Sequence, residues 1–250
     1  NEKEKKAHGA VIFGGCNNTL TLLHDVWEYK WPSTWNFLWP QNEADAAKGP
    51  SPREGHCAAM GMFFFYFFFC SVSLMYLSYT HNNNNNNKTG TATFSESKAP
   101  TEMYVFGGID MKYIPFQEFW MFDVSKKKWT DLTETTMKDK TKSPSARWMA
   151  SFTPIKGGQE LFLFGGCSET GGPLDDAWRY KVKDKKWELV SSTQSRPPNA
   201  RWLHSALSVL SGGSLVKEYV VVFGGSANNI HYNDMYMYDV SENIWFEDYP

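Results

Sequence analysis

The stretch Leu161-Phe162-Leu163-Phe164-Gly165-Gly166, followed by Asp176-Ala177-Trp178-Arg179-Tyr180 and then by Trp187, carries the reading of the whole chain. A short apolar run ends in a glycine pair. An acid then opens an alternating aromatic segment, and a last tryptophan closes the unit. Period-two alternation with turn residues between the runs is the signature of short strands, and no segment sustains a 3.6-residue period. The unit recurs around Phe13-Gly14-Gly15, Phe106-Gly107-Gly108 and Phe223-Gly224-Gly225. The aromatic segments that answer Asp176–Tyr180 are Asp25–Tyr29, Glu118–Phe122 and Asp234–Tyr238. From the second glycine to Trp27, Trp120, Trp178 and Tyr236 is 12, 12, 12 and 11 residues. The closing tryptophans are Trp35, Trp129, Trp187 and Trp245, and nine of the 11 tryptophans stand at repeat-equivalent places, Trp31 and Trp39 being the exceptions.

Working outward, an arginine precedes three of the glycine pairs: Arg53, Arg147 with Trp148, and Arg201 with Trp202. Each unit therefore reads as four strands, A to D. A starts at the arginine, B ends in Gly-Gly, C is the aromatic segment, and D holds the last tryptophan. Short polar turns such as Ser125-Lys126-Lys127-Lys128 and Lys183–Lys186 join C to D, as tight hairpins require. The glycine pair marks a place where the backbone must bend and approach its neighbours closely. Repeat-equivalent tryptophans separated by 58 residues (Trp120 to Trp178) fix the period. The 93 residues from Trp27 to Trp120 reveal an insertion.

This pattern resembles the kelch repeat over about residues 9–60 and 101–248. The resemblance implies an all-β fold, a kelch-type β-propeller of four-stranded antiparallel blades. The chain, 1–250, then reads as part of a propeller: blade 1 over 9–40 without a strand A, blade 2 over 51–133, blade 3 over 145–191 and blade 4 over 199–250. Kelch rings usually have more blades than four, so a larger ring is expected. The insertion, about 62–98, lies between strands A and B of blade 2 and is expected outside the blade sheets. It holds the apolar Met62–Tyr79 and the unbroken Asn82–Asn87. A Phe run followed by an Asn run fits either a low-complexity loop or translated non-coding sequence. A membrane span there would tear an A–B hairpin apart, so membrane insertion is not expected.

Twenty-seven acids against 25 bases give a net charge of −2, which speaks against a nucleic-acid binder. Four cysteines without a C-x-x-C exclude a disulfide scaffold. The charged Asn1–Lys6 lacks a signal-peptide core, and a cytoplasmic setting is favoured. Metal-protease, phosphate-loop, dinucleotide and nucleophile-elbow motifs are absent, and no cofactor, metal or catalytic residue is assigned. Kelch propellers mostly bind proteins or peptides, so the resemblance implies a non-catalytic scaffold or adaptor acting through loops at the channel mouth. The alternatives are a galactose-oxidase-like or sugar-epimerase enzyme, or the kelch domain of a larger multidomain enzyme.

B–C and D–A loops share one face of a propeller. The residues expected to meet a partner are Arg53, Arg147, Arg201, His24, Tyr113, Asn228 and His231, with Asn17, Lys112, Glu169 and Asn229 on the same loops. In kelch adaptors arginines at this point hold acidic peptides, which makes an acidic segment the expected ligand. The alternative is that each arginine pairs with an acid of its own blade. His56 and His204, three residues after Arg53 and Arg201, read as structural.

Overall fold

A computed structural model describes residues 9–30, 33–61, 74–77, 101–191, 195–211 and 216–248. The first sheet is built from β1 (Gly9–Cys16), β2 (Leu22–Lys30) and β3 (Thr34–Trp39). After a four-residue helix, Glu43–Ala46, the chain enters β4 (Cys57–Gly61). β5 (Leu74–Leu77) lies in the insertion. β6 (Glu102–Phe106), β7 (Phe119–Asp123) and β8 (Lys128–Asp131) complete the second sheet, in the order β4-β6-β7-β8. A second four-residue helix, Thr133–Thr136, follows.

The third blade opens with the two-residue β9 (Arg147–Trp148), then β10 (Ser151–Ile155), β11 (Glu160–Phe164), the two-residue β12 (Cys167–Ser168), β13 (Ala177–Lys181) and β14 (Lys186–Leu189). The fourth has β15 (Ser205–Leu210), β16 (Glu218–Phe223), the two-residue β17 (Ser226–Ala227) and β18 (Ile230–His231), β19 (Met235–Asp239) and β20 (Ile244–Asp248). Sheets β10-β11-β13-β14 and β15-β16-β19-β20 repeat the second in order and antiparallel sense. The expected four-stranded blades are therefore present.

Two differences have physical causes. Strand A begins four residues after its arginine, at Cys57, Ser151 and Ser205, because the intervening residues are taken up by main-chain bonds to the neighbouring blades and by bridges to their own B–C loops. The insertion does not lie wholly outside the sheets. β5 pairs antiparallel with β1, from Gly9 with Leu77 to Ile12 with Leu74, and takes the place of strand A in blade 1. An open sheet edge bears unpaired main-chain groups, and the four residues of β5 pair with those of β1. The rest of 62–98 falls outside the described residues.

Blades pack by one repeated joint. The strand-B phenylalanine of one blade receives the strand-D tryptophan of the next. Phe13 meets Trp129 at 4.9 Å between ring centroids, Phe106 meets Trp187 at 5.6 Å, and Phe164 meets Trp245 at 5.3 Å. His56 adds a ring edge to Phe13 and His204 one to Phe164, while Ala150 stands at that place in blade 3. Four blades so make three joints. The two half-joints left at the ends are open: Phe223 is 54% exposed where Phe13, Phe106 and Phe164 are at most 1%. Trp35 is 52% exposed where Trp129, Trp187 and Trp245 are at most 5%. Trp39, outside the repeat, is buried instead and lies edge-on to Trp129.

Exposure of chemically equivalent tryptophans gives an internal control. Trp187→Ala should cost about 3–5 kcal/mol, as truncating a buried indole does. Trp35→Ala should cost well under half of that. Urea unfolding of the two variants measures the difference, and equal losses would mean that Trp35 is covered in solution.

Candidate partner-binding face

A glycine pair, an acid and an arginine converge in each of blades 2, 3 and 4. The Arg147 guanidinium donates to both oxygens of Asp176, at 2.6 and 2.8 Å, and to the Gly165 carbonyl at 3.0 Å. Its remaining N–H groups reach the Ser145 carbonyl and hydroxyl. Arg201 does the same with Asp234, at 2.6 and 2.9 Å, and with the Gly224 carbonyl. Arg53 donates to Glu118 and to the Gly107 carbonyl. The indoles of Trp120 and Trp178 donate to the same acids from two residues along strand C. Planar five-donor guanidinium groups suit such forks.

All three arginines are at most 1% exposed. Burial draws the Arg53 guanidinium below its ordinary range, opposed by the charge of Glu118. Burial would raise the Asp176 carboxyl, but the hydrogen bonds and charge of Arg147 outweigh it and hold the group below its usual range. The expected contact between arginines and an acidic ligand at the mouth is therefore corrected. Arg53, Arg147 and Arg201 each take an acid of their own blade, and no guanidinium face is left toward solvent.

The same residues also tie blade to blade. The Arg53 carbonyl accepts from Gly15 N–H, that of Arg147 from Gly108 N–H and that of Arg201 from Gly166 N–H, at 2.8–3.0 Å. A Cβ on Gly107 would lie 2.2 Å from the Arg147 carbonyl oxygen, so this approach requires glycine. Two residues on, Gly55, Met149 and Leu203 all have φ between +55° and +61°. Met149 N–H donates to the Gly55 carbonyl and Leu203 N–H to that of Met149, joining successive blades. Bulky residues in the left-handed region are costly and persist only where their surroundings hold them.

The other expected residues stand on the loops. Glu54, Trp148 and Trp202, each just after an arginine, bridge to Ile109, Cys167 and Ser226 at the start of the B–C loops, so the D–A and B–C loops lie on one face. Tyr113 is 75% exposed and at φ +61°, held because Asp110 Oδ1 accepts from the N–H groups of Lys112 and Ile114. Asn228 and Asn229, both at positive φ, turn the small hairpin β17–β18, and His231 is exposed with its Nδ1 2.8 Å from Ser226 Oγ. Asn17 Oδ1 accepts from Thr19 and Thr21. Lys112 and Glu169 are exposed. His24 packs edge-on to Trp39 at 5.3 Å. Sequence reasoning missed the exposed Leu20, Met111, Ile114, Leu203 and Ile230 beside them. Apolar residues inside turn-rich loops were the available signal. Among the described residues no group of three or more His, Cys, Asp or Glu could hold a metal ion, and no helix is long and apolar enough to cross a membrane.

Four-stranded blades with these joints define a chain of kelch repeats. The comparison with known families agrees: residues 75–248 match the KLHDC2/KLHL20/DRC7 Kelch-repeats domain, and the chain belongs to that family. It is similar to the flagellar outer-arm dynein alpha chain of Chlamydomonas reinhardtii, 26% identical over 94% of this chain and 4% of the dynein. It is also similar to Kelch domain-containing protein 2 of Bos taurus, 33% identical over 39% of this chain and 23% of that protein. Kelch domain-containing protein 10 of Xenopus tropicalis is 26% identical over 59% of this chain and 35% of its own length. The chain thus spans about a third or less of each of these relatives.

His56 and His204 behind this face are held neutral. Burial, and then the charge of Arg53 or Arg201, push each down to about 3 from 6.5. Below pH 6.5 the unfolded chain binds protons at both residues and the folded chain does not, so stability falls as pH drops from 6.5. Each histidine contributes a slope of about 1.4 kcal/mol per pH unit there. Asp176, starting from 3.8, acts at lower pH. Urea midpoints taken from pH 7.5 to 4.5 should decline below 6.5, and should decline less in a His56→Gln/His204→Gln variant.

Proposed function

We propose that this chain is a non-catalytic binding scaffold that holds a protein or peptide partner on the face carrying the B–C and D–A loops. One observation carries the reading. Leu20, Met111, Tyr113, Ile114, Leu203 and Ile230, from blades 1, 2 and 4, are 47–75% exposed on loops braced by their own side-chain caps and turns. Exposed apolar groups on rigid loops favour a macromolecular partner, since contact area is gained with little ordering cost. The relatives named for their kelch domains are consistent with such a role. Acid recognition by arginine loses its donors to Asp176, Asp234 and Glu118, so the ligand class proposed is apolar and aromatic rather than acidic.

Affinity capture with the intact chain tests this. A Tyr113→Ala/Ile114→Ala/Leu203→Ala variant should lose the captured partner by about tenfold or more while melting like the parent, because anchors of this kind dominate interface energy. Neutralising Lys126, Lys127 and Lys128, on the opposite C–D turns, should leave capture unchanged. The reverse pattern would move the site to that face.

A further inference from the structure

The turns that join strands C and D carry charge unevenly. Blade 2 turns through Ser125-Lys126-Lys127-Lys128, blade 3 through Lys183-Asp184-Lys185-Lys186 and blade 4 through Ser241-Glu242-Asn243. Lys126 pairs with Asp123 at 2.7 Å, and Lys181, at the end of strand C in blade 3, pairs with Glu188 at 2.7 Å. Lys127, Lys128, Lys183, Lys185 and Lys186 are all exposed, and among the described residues none of them meets an acid. Two neighbouring blades therefore present a cluster of free ammonium groups, opposed on the turns by Asp184, in a chain whose net charge is −2.

The hairpins do not need these lysines. All three close in one register: Asp123 faces Lys128, Lys181 faces Lys186 and Asp239 faces Ile244. In blade 2 the closing pair attracts. In blade 4 Asp239 Oδ1 accepts from the N–H groups of Ser241 and Glu242. In blade 3 two like charges stand opposite each other, which weakens a strand pair. Lys127, Lys185 and Asn243 share one place, two residues before the strand-D tryptophan, at φ +52°, +53° and +60°. Asparagine suits that left-handed conformation, and the Asn243 amide also donates to the Ser191 carbonyl. Lysine there gains nothing from the main chain. Positive charge thus gathers on blades 2 and 3 against the local preferences of the hairpin, and such conflicts mark functional surfaces.

We propose that the C–D turns of blades 2 and 3 are a docking surface for an acidic polypeptide segment, a run of aspartate and glutamate side chains. Carboxylates spaced along an extended chain pair with the free lysines of both hairpins and relieve the repulsion between Lys181 and Lys186. The chemistry favours a polypeptide over nucleic acid or a bilayer. The turns offer no exposed aromatic ring on which a base could stack and no exposed apolar side chain that could enter lipid. Trp129 and Trp187 beside them are at most 5% exposed. Such a surface steers its partner from a distance and weakens as salt screens it. It stands apart from the apolar loops of the opposite face and does not depend on what they bind.

Fluorescence anisotropy of a labelled polyglutamate dodecamer with the full chain, at low ionic strength, tests this. The peptide should bind, and salt should release it. A Lys127→Asn/Lys185→Asn/Lys186→Thr variant should bind about tenfold or more weakly, the sum of three exposed ion pairs. It should melt at or above the parent, because asparagine fits the turn and the like-charged pair is gone. Lys112→Asn/Lys138→Asn/Lys140→Asn removes the same charge from the loops of the other face and should leave peptide affinity unchanged, as should Tyr113→Ala/Ile114→Ala/Leu203→Ala. The proposal is overturned by failure of the dodecamer to bind, by equal loss in the two lysine variants, or by a lower melting point in the first. Dependence on Tyr113, Ile114 and Leu203, or tighter binding of an oligothymidylate of the same length or of phosphatidylserine vesicles, would overturn it too.

Discussion

A guanidinium withdrawn from water must place all its donors, and in this chain that demand organises three blades. Arg53, Arg147 and Arg201 satisfy it with an acid, a glycine carbonyl and a nearby serine or asparagine of the same blade. Their own carbonyls then accept from the glycine N–H of the blade before. One residue thus fixes the turn between strands B and C and the spacing between sheets. Removing either ionic partner would strand the other in a buried setting, which is why such pairs are costly to break even when their net contribution is modest.

The aromatic joint and the arginine clamp depend on each other. The tryptophan of one blade reaches the phenylalanine of the blade before only because the glycine pair lets the arginine carbonyl approach. His56 and His204 fill the space between clamp and joint as neutral rings. The loops above need little of their own for placement. Asp110 and Asn17 cap local N–H groups, and Asn228-Asn229 makes a tight turn, so Tyr113 and Ile230 can face solvent without being drawn into the core.

Strands B, C and D were legible because glycine pairs and aromatic alternation mark a bend and a half-buried strand directly. The start of strand A was not. Arg147-Trp148 reads like the opening of a strand, but it pairs with Cys167-Ser168 in a separate two-residue ladder and gives the Arg147 carbonyl to Gly108 of the blade before, a tertiary demand invisible in the local pattern. β5 was hidden by composition: Leu74–Leu77 follows a run of phenylalanines in a stretch without period, and only pairing with the edge of β1 marks these four residues as a strand. The arginines were found by position, but position alone could not separate a mouth-lining charge from a buried clamp. The acid two residues before each aromatic, read together with the arginine, was the signal that favoured the clamp. Apolar loop residues such as Ile114 and Leu203 escaped notice because an isolated exposed apolar side chain is ordinary, and only their gathering on one face gives them meaning.

The line of main-chain bonds through Gly55, Met149 and Leu203 runs across the blades, whereas the strand ladders run within them. Its effect is that of a hoop on barrel staves. Force that pulls two blades apart would load these few bonds together with the glycine–arginine contacts between the same blades. Force along a strand would instead be shared by a whole ladder. The chain should therefore be stiff within each blade and yield first between blades, opening like a fan whose ribs stay intact.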